Sequence, residues 1–185
     1  MKSQKPRLKL SPKLNPKSKN QRKLMTNRLA LTLIKKNRPK THLETQLLGL
    51  KLVHLGTGAF RAVYRIKGTD FVIKFLTDGF FDEHSRDEVN NIKKLAKSKS
   101  LRPHLPRIHY YDPKLGVIVM NYYTRYNKTR ANKPHPARAY GDITWERVLI
   151  SDLIKELTGV NFSDLWDENL RMDKNDVVKF VDVGC

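Results

Sequence analysis

Three side chains in the last quarter of the chain are spaced to share one piece of chemistry. Asp164 opens a polar stretch, Asn169 follows it, and Asp182 comes after a short hairpin read from Leu170 to Met172 and from Val177 to Val181. The connection, Asp173-Lys174-Asn175-Asp176, is made of residues that form turns through their own side chains. Closing that hairpin brings its ends together, so Asn169 and Asp182 come within reach of one divalent ion, and Asp164 faces whatever the ion holds. An amide and a carboxylate on Mg²⁺, with a second carboxylate beside an incoming hydroxyl, suit phosphoryl transfer. The plainer alternative is a polar hairpin whose Asp and Asn serve only as turn formers.

A partner for that site has to come from earlier in the chain. Phe71 to Leu76 (FVIKFL) reads as an apolar strand interrupted by one ammonium, Lys74. An unpaired buried ammonium is expensive, so Lys74 needs a carboxylate or an anionic ligand. Residues 82–97 have helical spacing, with Val89, Ile92, Leu95 and Ala96 on one face, and Glu88 beside them is the candidate counter-ion. The alternative for Glu88 is a solvated helical charge. Upstream, strands over Leu50 to Leu55 and Phe60 to Ile66 are broken by Gly56-Thr57-Gly58, and Lys67 to Asp70 turns the chain into the Lys74 strand. Arg107 to Tyr111 and Val117 to Asn121 read as a second hairpin, which makes five short antiparallel strands. Residues 124–140 are polar, basic and Pro-containing, and have no clear period. Ile143 to Leu157 reads as a helix stopped by Gly159. There is no internal repeat.

The charge of the chain is concentrated at one end. Of a formal net charge of +19, residues 1–40 contribute fourteen Lys or Arg and no acid. Residues 41–185 carry 23 basic against 18 acidic side chains, a net of +5, so the body is only mildly basic. Residues 1–23 mix Lys with Pro, Ser and Asn and are expected to be disordered. Residues 24–36 could form a basic helix, but only against a partner. Such a tail suits unspecific contact with nucleic-acid phosphates through residues 1–40, or simple solubilisation; it has no aromatic side chains for base stacking. The one cysteine, Cys185, excludes a disulfide within the chain, and a reducing, cytoplasmic setting fits. No apolar run is long enough for a membrane span. Residues 24–34 are interrupted by Asn27 and Arg28 and do not read as a secretory signal. The acid-free tail is richer in Lys and Pro than in the Arg of organelle transit peptides.

In order along the chain, these pieces resemble the protein-kinase-like superfamily, whose signatures are G-x-G-x-x-G-x-V, V-A-I-K, H-R-D-L-x-x-x-N and D-F-G. The counterparts are Gly56-Thr57-Gly58 through Val63, then Val72-Ile73-Lys74, Asp164 through Asn169, and Asp182-Val183-Gly184. The resemblance covers roughly residues 50–184. It implies an α+β, kinase-like fold: a five-stranded antiparallel N-lobe sheet with one regulatory-type helix, and a minimal helical C-lobe. The expected divisions are a tail at 1–43, an N-lobe at 44–122 and a C-lobe at 123–185. The resemblance also implies an ATP- and Mg²⁺-dependent phosphotransferase acting on a protein Ser/Thr or a small molecule. In that reading Gly56, Thr57 and Gly58 admit the phosphates, Lys74 holds them and is itself held by Glu88. Asn169 and Asp182 bind Mg²⁺, and Asp164 is the catalytic carboxylate. Val53 to Leu55, Val63 and Val72 line an adenine slot, with Met120 to Tyr122 as the backbone hinge. The alternative is an inactive nucleotide-binding module whose basic tail contacts nucleic acid.

Three departures bear on this. Arg61 replaces the third glycine and either helps to bind phosphates or points outward. Phe162-Ser163 replace His-Arg, so control through a phosphorylated activation loop is not expected. The sequence stops one residue past Gly184, which is expected either of a compact, atypical or bacterial/viral-type relative truncated after D-x-G or of an incomplete reading frame.

Overall fold

The computed structural model describes residues 19–58, 60–77, 83–125, 151–152, 154–156, 159 and 169–182. Within them the chain is α+β. A five-stranded antiparallel sheet is made of β1 (Leu52–Thr57), β2 (Arg61–Ile66), β3 (Phe71–Leu76), β4 (Ile108–Asp112) and β5 (Val117–Asn121), in the order β1-β2-β3-β5-β4. A smaller sheet is made of β6 (Thr124–Arg125), β7 (Leu170–Met172) and β8 (Val178–Phe180). The helices are α1 (Lys19–Asn37), α2 (His42–Leu47) and α3 (Glu83–Leu95), with a 3₁₀ turn at Arg102–His104. No helix of the described residues is long and apolar enough to cross a membrane.

The strands fall close to where apolar alternation and turn residues put them, with one correction. Gly56 and Thr57 do not break the first strand. They pair with Val63 and Ala62 inside β1, and the register shifts between His54 and Gly56. The disturbance expected of the glycines is absorbed as a bulge, which keeps the ladder while bending the strand.

β3 is buried on both faces, and the period of two sorts its side chains. Phe71, Ile73 and Phe75 point to one side, where they pack with Ile66, Val117, Val119 and, from α1, Ala30 and Ile34. Val72 packs on the opposite side with Ile118, Met120 and Val89 of α3. The register extends that second face: Val63 lies opposite Lys74, Lys74 opposite Ile118, and Val72 opposite Met120. Lys74 is thereby directed toward α3. Helix α3 buries Ser85, Glu88, Val89, Ile92 and Leu95 along one stripe, and Glu88 lies inside it. A third cluster joins the foot of α3 to the small sheet through Ile92, Leu95, Ile154, Leu170, Val178 and Phe180.

The basic segment expected to be helical only against a partner is helical, and its helix starts earlier than residue 24. Residues 19–37 are helical and α2 follows. The partner that the basic helix needed is the chain's own sheet: its bare face takes Ala30, Leu31 and Ile34. Lys23 pairs with Asp70 at 2.5 Å, and the Asn27 side-chain oxygen accepts from the Asp70 amide at 3.0 Å. At the other end of α1, Arg38 donates from Nε and Nη2 to both oxygens of buried Asp112, at 2.6 and 2.9 Å. Residues 1–18, 126–150 and 160–168 lie outside the described residues, so the proposed disorder at the start and most of the helix expected over 143–157 are not addressed; residues 151, 152 and 154–156 of it are helical. Gly159 has φ +68° and its amide bonds the Lys155 carbonyl at 2.7 Å, as a helix-stopping glycine does.

Two outcomes follow from the seat of α1. Ile34→Ala, at a fully buried position, should cost about 2–5 kcal/mol in urea unfolding, whereas truncating an unstructured tail residue would cost nothing. Arg38, first among its partners, holds the Asp112 carboxyl down at about 2 against an ordinary 3.8. A depressed carboxyl contributes stability above its unfolded value and loses it as pH falls through its folded one. The stability gap between wild type and Asp112→Asn should therefore be constant above pH 4 and close between pH 4 and pH 2.

Candidate functional site

The two sheets face each other across a cleft of about 320 Å³. Its apolar wall is Leu55, Val63, Val72 and Met120, the α3-facing side of the large sheet and the adjoining part of β1. Asn169, Val181, Asp182 and Arg171 bound it from the small sheet. Lys74 reaches in from β3.

Lys74 is the hub. Its ammonium donates to Glu88 Oε1 at 2.7 Å and to the Val181 carbonyl at 2.9 Å, and Asp182 Oδ1 lies 3.9 Å away. Glu88 is wholly buried, and the Lys74 side chain is 4% exposed. Asp182, by contrast, is 39% exposed and opens on the cleft. Arg61, far from pointing outward, turns inward, two residues before Val63 on the same face of β2. Its Nη1 donates to Glu88 Oε2, and its Nη2 donates to Asp182 Oδ1 at 3.1 Å. Burial pushes the Lys74 ammonium below its ordinary range; Asp182 pulls against this, while Arg61 and Arg171 push further the same way. Arg61 is likewise lowered by burial, with Asp182 opposing. In both, burial is the leading cause.

The ends of the small hairpin meet as expected. The Val181 amide donates to the Asn169 carbonyl at 2.9 Å, which sets Asn169 and Asp182 on adjacent strand ends at the same side of the cleft. Asp173, in the connection, is a turn former: its Oδ1 accepts from the Asn175 and Val177 amides at 2.8 and 3.1 Å. Asp176 takes φ +59° there.

The other candidate residues divide. Gly56 and Tyr122 join the cleft, as do Val63 and Met120. A Cβ built on Gly56 would meet no protein atom within 4 Å, so nothing in the fold demands glycine there. A bare backbone at that point instead leaves room in the cleft for a ligand. Thr57 and Gly58 stand outside its lining. The Thr57 hydroxyl hydrogen-bonds His54 Nε2 at 2.8 Å, and the Gly58 amide closes the turn onto the Arg61 carbonyl at 2.9 Å. Val53 is exposed and lies away from the slot expected of it. The Tyr122 amide is already given to the Asp70 carbonyl at 2.6 Å, so the hinge has one donor fewer than expected. Asp164 and Gly184 lie outside the described residues.

Two arginines in the cleft were not anticipated. Arg171 alternates with buried Leu170 and Met172, a pattern that turns it to the other face of β7; Arg125 sits directly opposite it on β6. Like charges facing across a pair of strands repel, so this pair favours an anion in the cleft. The residues fit a nucleoside triphosphate with its cation: a flat apolar wall for a base, cations for phosphates, and an amide–carboxylate pair for Mg²⁺. Among the described residues no group of three or more His, Cys, Asp or Glu could hold a metal without such help. Compared with protein-family models and with curated proteins, the chain matches none.

Removing the shared carboxylate should be the most damaging single change at the site. Glu88→Gln leaves two buried cations without their common partner and should cost about 3–5 kcal/mol in chemical unfolding. An effect below 1 kcal/mol would mean that Glu88 is solvated.

Proposed function

We propose that this chain is an ATP- and Mg²⁺-dependent phosphotransferase of kinase-like design, with an alcohol acceptor on a protein Ser/Thr or a small molecule. The observation that carries the reading is Lys74, clamped by buried Glu88 and held 3.9 Å from Asp182 at the cleft. An ammonium fixed in this way is prepared for a phosphate and cannot fold away from it. In this reading the five-stranded sheet and α3 form an N-lobe, and the segment from residue 123 forms a small C-lobe. The base lies against Val63, Val72 and Met120. Lys74 binds the phosphates, and Asn169 and Asp182 are the residues that would hold Mg²⁺. The ion supplies neutralisation of charge on the transferring group. Asp164 would orient the acceptor hydroxyl and take its proton.

One observation favours a second reading, a module that binds nucleotide without transferring phosphate and reaches nucleic acid through its basic N-terminal segment. Asp182 is already paired with two protein cations, Arg61 and Lys74, so its own charge is met without a metal.

Incubation of the full chain with γ-labelled ATP, Mg²⁺ and generic acceptors separates the two. The phosphotransferase reading expects label transfer that falls by about 100-fold or more in Lys74→Met and in Asp164→Asn. It also expects Asp164→Asn to keep the rise in melting temperature caused by nucleotide. A rise in wild type with no transfer to any acceptor would leave only the binding module. Neither a rise nor transfer would remove both.

A further inference from the structure

Asp182, the only acid among the described residues lining the cleft, is held as a counter-ion before any ligand arrives. Glu88 spends both of its oxygens, one on Lys74 and one on Arg61. Each of those cations also faces Asp182 Oδ1: Arg61 donates to it at 3.1 Å, and Lys74, which donates to the Val181 carbonyl as well, lies 3.9 Å from it. The result is a ring of two positive and two negative groups in which every charge has two opposite neighbours. The positive members are the hidden ones, with side chains 4% and 9% exposed, and Asp182 is the accessible one.

A divalent cation arriving alone at Asp182 would meet two buried like charges within a few ångströms, where water screens poorly. It would also deprive them of one of their two counter-ions, leaving Glu88 to serve both. Arg171 and Arg125 on the opposite wall add to the repulsion. A polyphosphate reverses this balance. Its oxygens match the planar fork of a guanidinium, which binds phosphate through paired N–H groups.

Resting on the nucleotide reading above, we propose that Arg61 makes metal binding conditional. It keeps Asp182 closed to a divalent cation until a polyphosphate is present, then passes its guanidinium to the phosphates and leaves Asp182 free to coordinate. Arg61 is thus a phosphate-binding residue and the lock on the metal site. The Arg61 carbonyl also accepts the Gly58 amide at 2.9 Å, which anchors the glycine turn to the same residue. A glycine at this position would leave Asp182 with Lys74 alone, 3.9 Å off.

The test titrates Mn²⁺, detected by electron paramagnetic resonance, into the full chain with and without a non-hydrolysable ATP analogue. Wild type, Arg61→Gln and Arg61→Lys are compared, with melting curves to verify folding. Wild type should bind Mn²⁺ only with the analogue. Arg61→Gln should bind Mn²⁺ alone at least about tenfold more tightly than wild type does, and bind the metal-free analogue about tenfold more weakly. Arg61→Lys, which keeps the charge, should still refuse Mn²⁺ alone. Wild type taking up Mn²⁺ equally well without the analogue would overturn the proposal and leave the nucleotide reading standing, as would a folded Arg61→Gln that gains no affinity for Mn²⁺. If Arg61→Gln does not fold, the wild-type and Arg61→Lys arms decide. Wild type binding no analogue under any condition would end both.

Discussion

A single carboxylate without access to water, Glu88, sets the terms for the rest of the molecule. It is committed to two cations from two strands, Lys74 on β3 and Arg61 at the start of β2. Taking three ionised groups out of water is costly, and well-packed apolar residues in their place would serve stability as well or better. The charges are therefore poorly explained as a way of holding α3 on the sheet, since Val89 already packs there against Val72, Ile118 and Met120. They are better explained by direction. Lys74 could have met Glu88 anywhere along the sheet, but it does so where it also donates to the Val181 carbonyl. One ammonium thus links the large sheet, α3 and the small sheet at the edge of the cleft, beside the apolar cluster that also joins α3 to the small sheet.

The opposite face of β3 shows the complementary constraint. Phe71, Ile73 and Phe75 would be left wet if nothing covered them, and α1 is what covers them. This was the least legible part of the fold. The inward positions of α1 are Asn27, Ala30, Leu31 and Ile34, of which only the last two are large and apolar, while Leu24, Met25 and Leu29 are exposed. Apolar residues spread around the helix leave no stripe for a period-based reading to find, and the surrounding lysines argue for solvent. The strands were legible because turn residues bracket each one and apolar side chains are dense between the turns. The bulge in β1 was not, because a glycine that terminates a strand and one that bends it look alike without the partner strand.

At the site, legibility followed contrast with the local pattern. Lys74 stands out in an apolar strand and Glu88 beside an apolar helical stripe, so their pairing could be argued before any coordinates. Arg61 follows a turn, where a charge is unremarkable. Its inward course depends on its register opposite Leu76, two residues from the Val63–Lys74 pair. Period-two reasoning from Val63 would have put Arg61 on the cleft face, and that was the unused signal. Arg171 could be assigned to the face away from Leu170 and Met172, but which surroundings that face meets depends on how the small sheet docks.

The basic excess of the chain is then two different quantities. Part of what looks like a polycationic tail is structural: Lys23 and Arg38 pair with Asp70 and Asp112, and their helix closes the core. A second part is in the body, where Lys74, Arg61, Arg125 and Arg171 gather around one cleft with Glu88 and Asp182 as the only acids beside it among the described residues. Exposed tail charges are screened within about 8 Å at physiological ionic strength, whereas charges buried beneath a cleft are screened much less. Attraction of an anion to the cleft should therefore survive salt that abolishes contacts made by the tail. A shared preference for phosphate would not make the two surfaces one site, because only the cleft combines that preference with an apolar wall and a carboxylate.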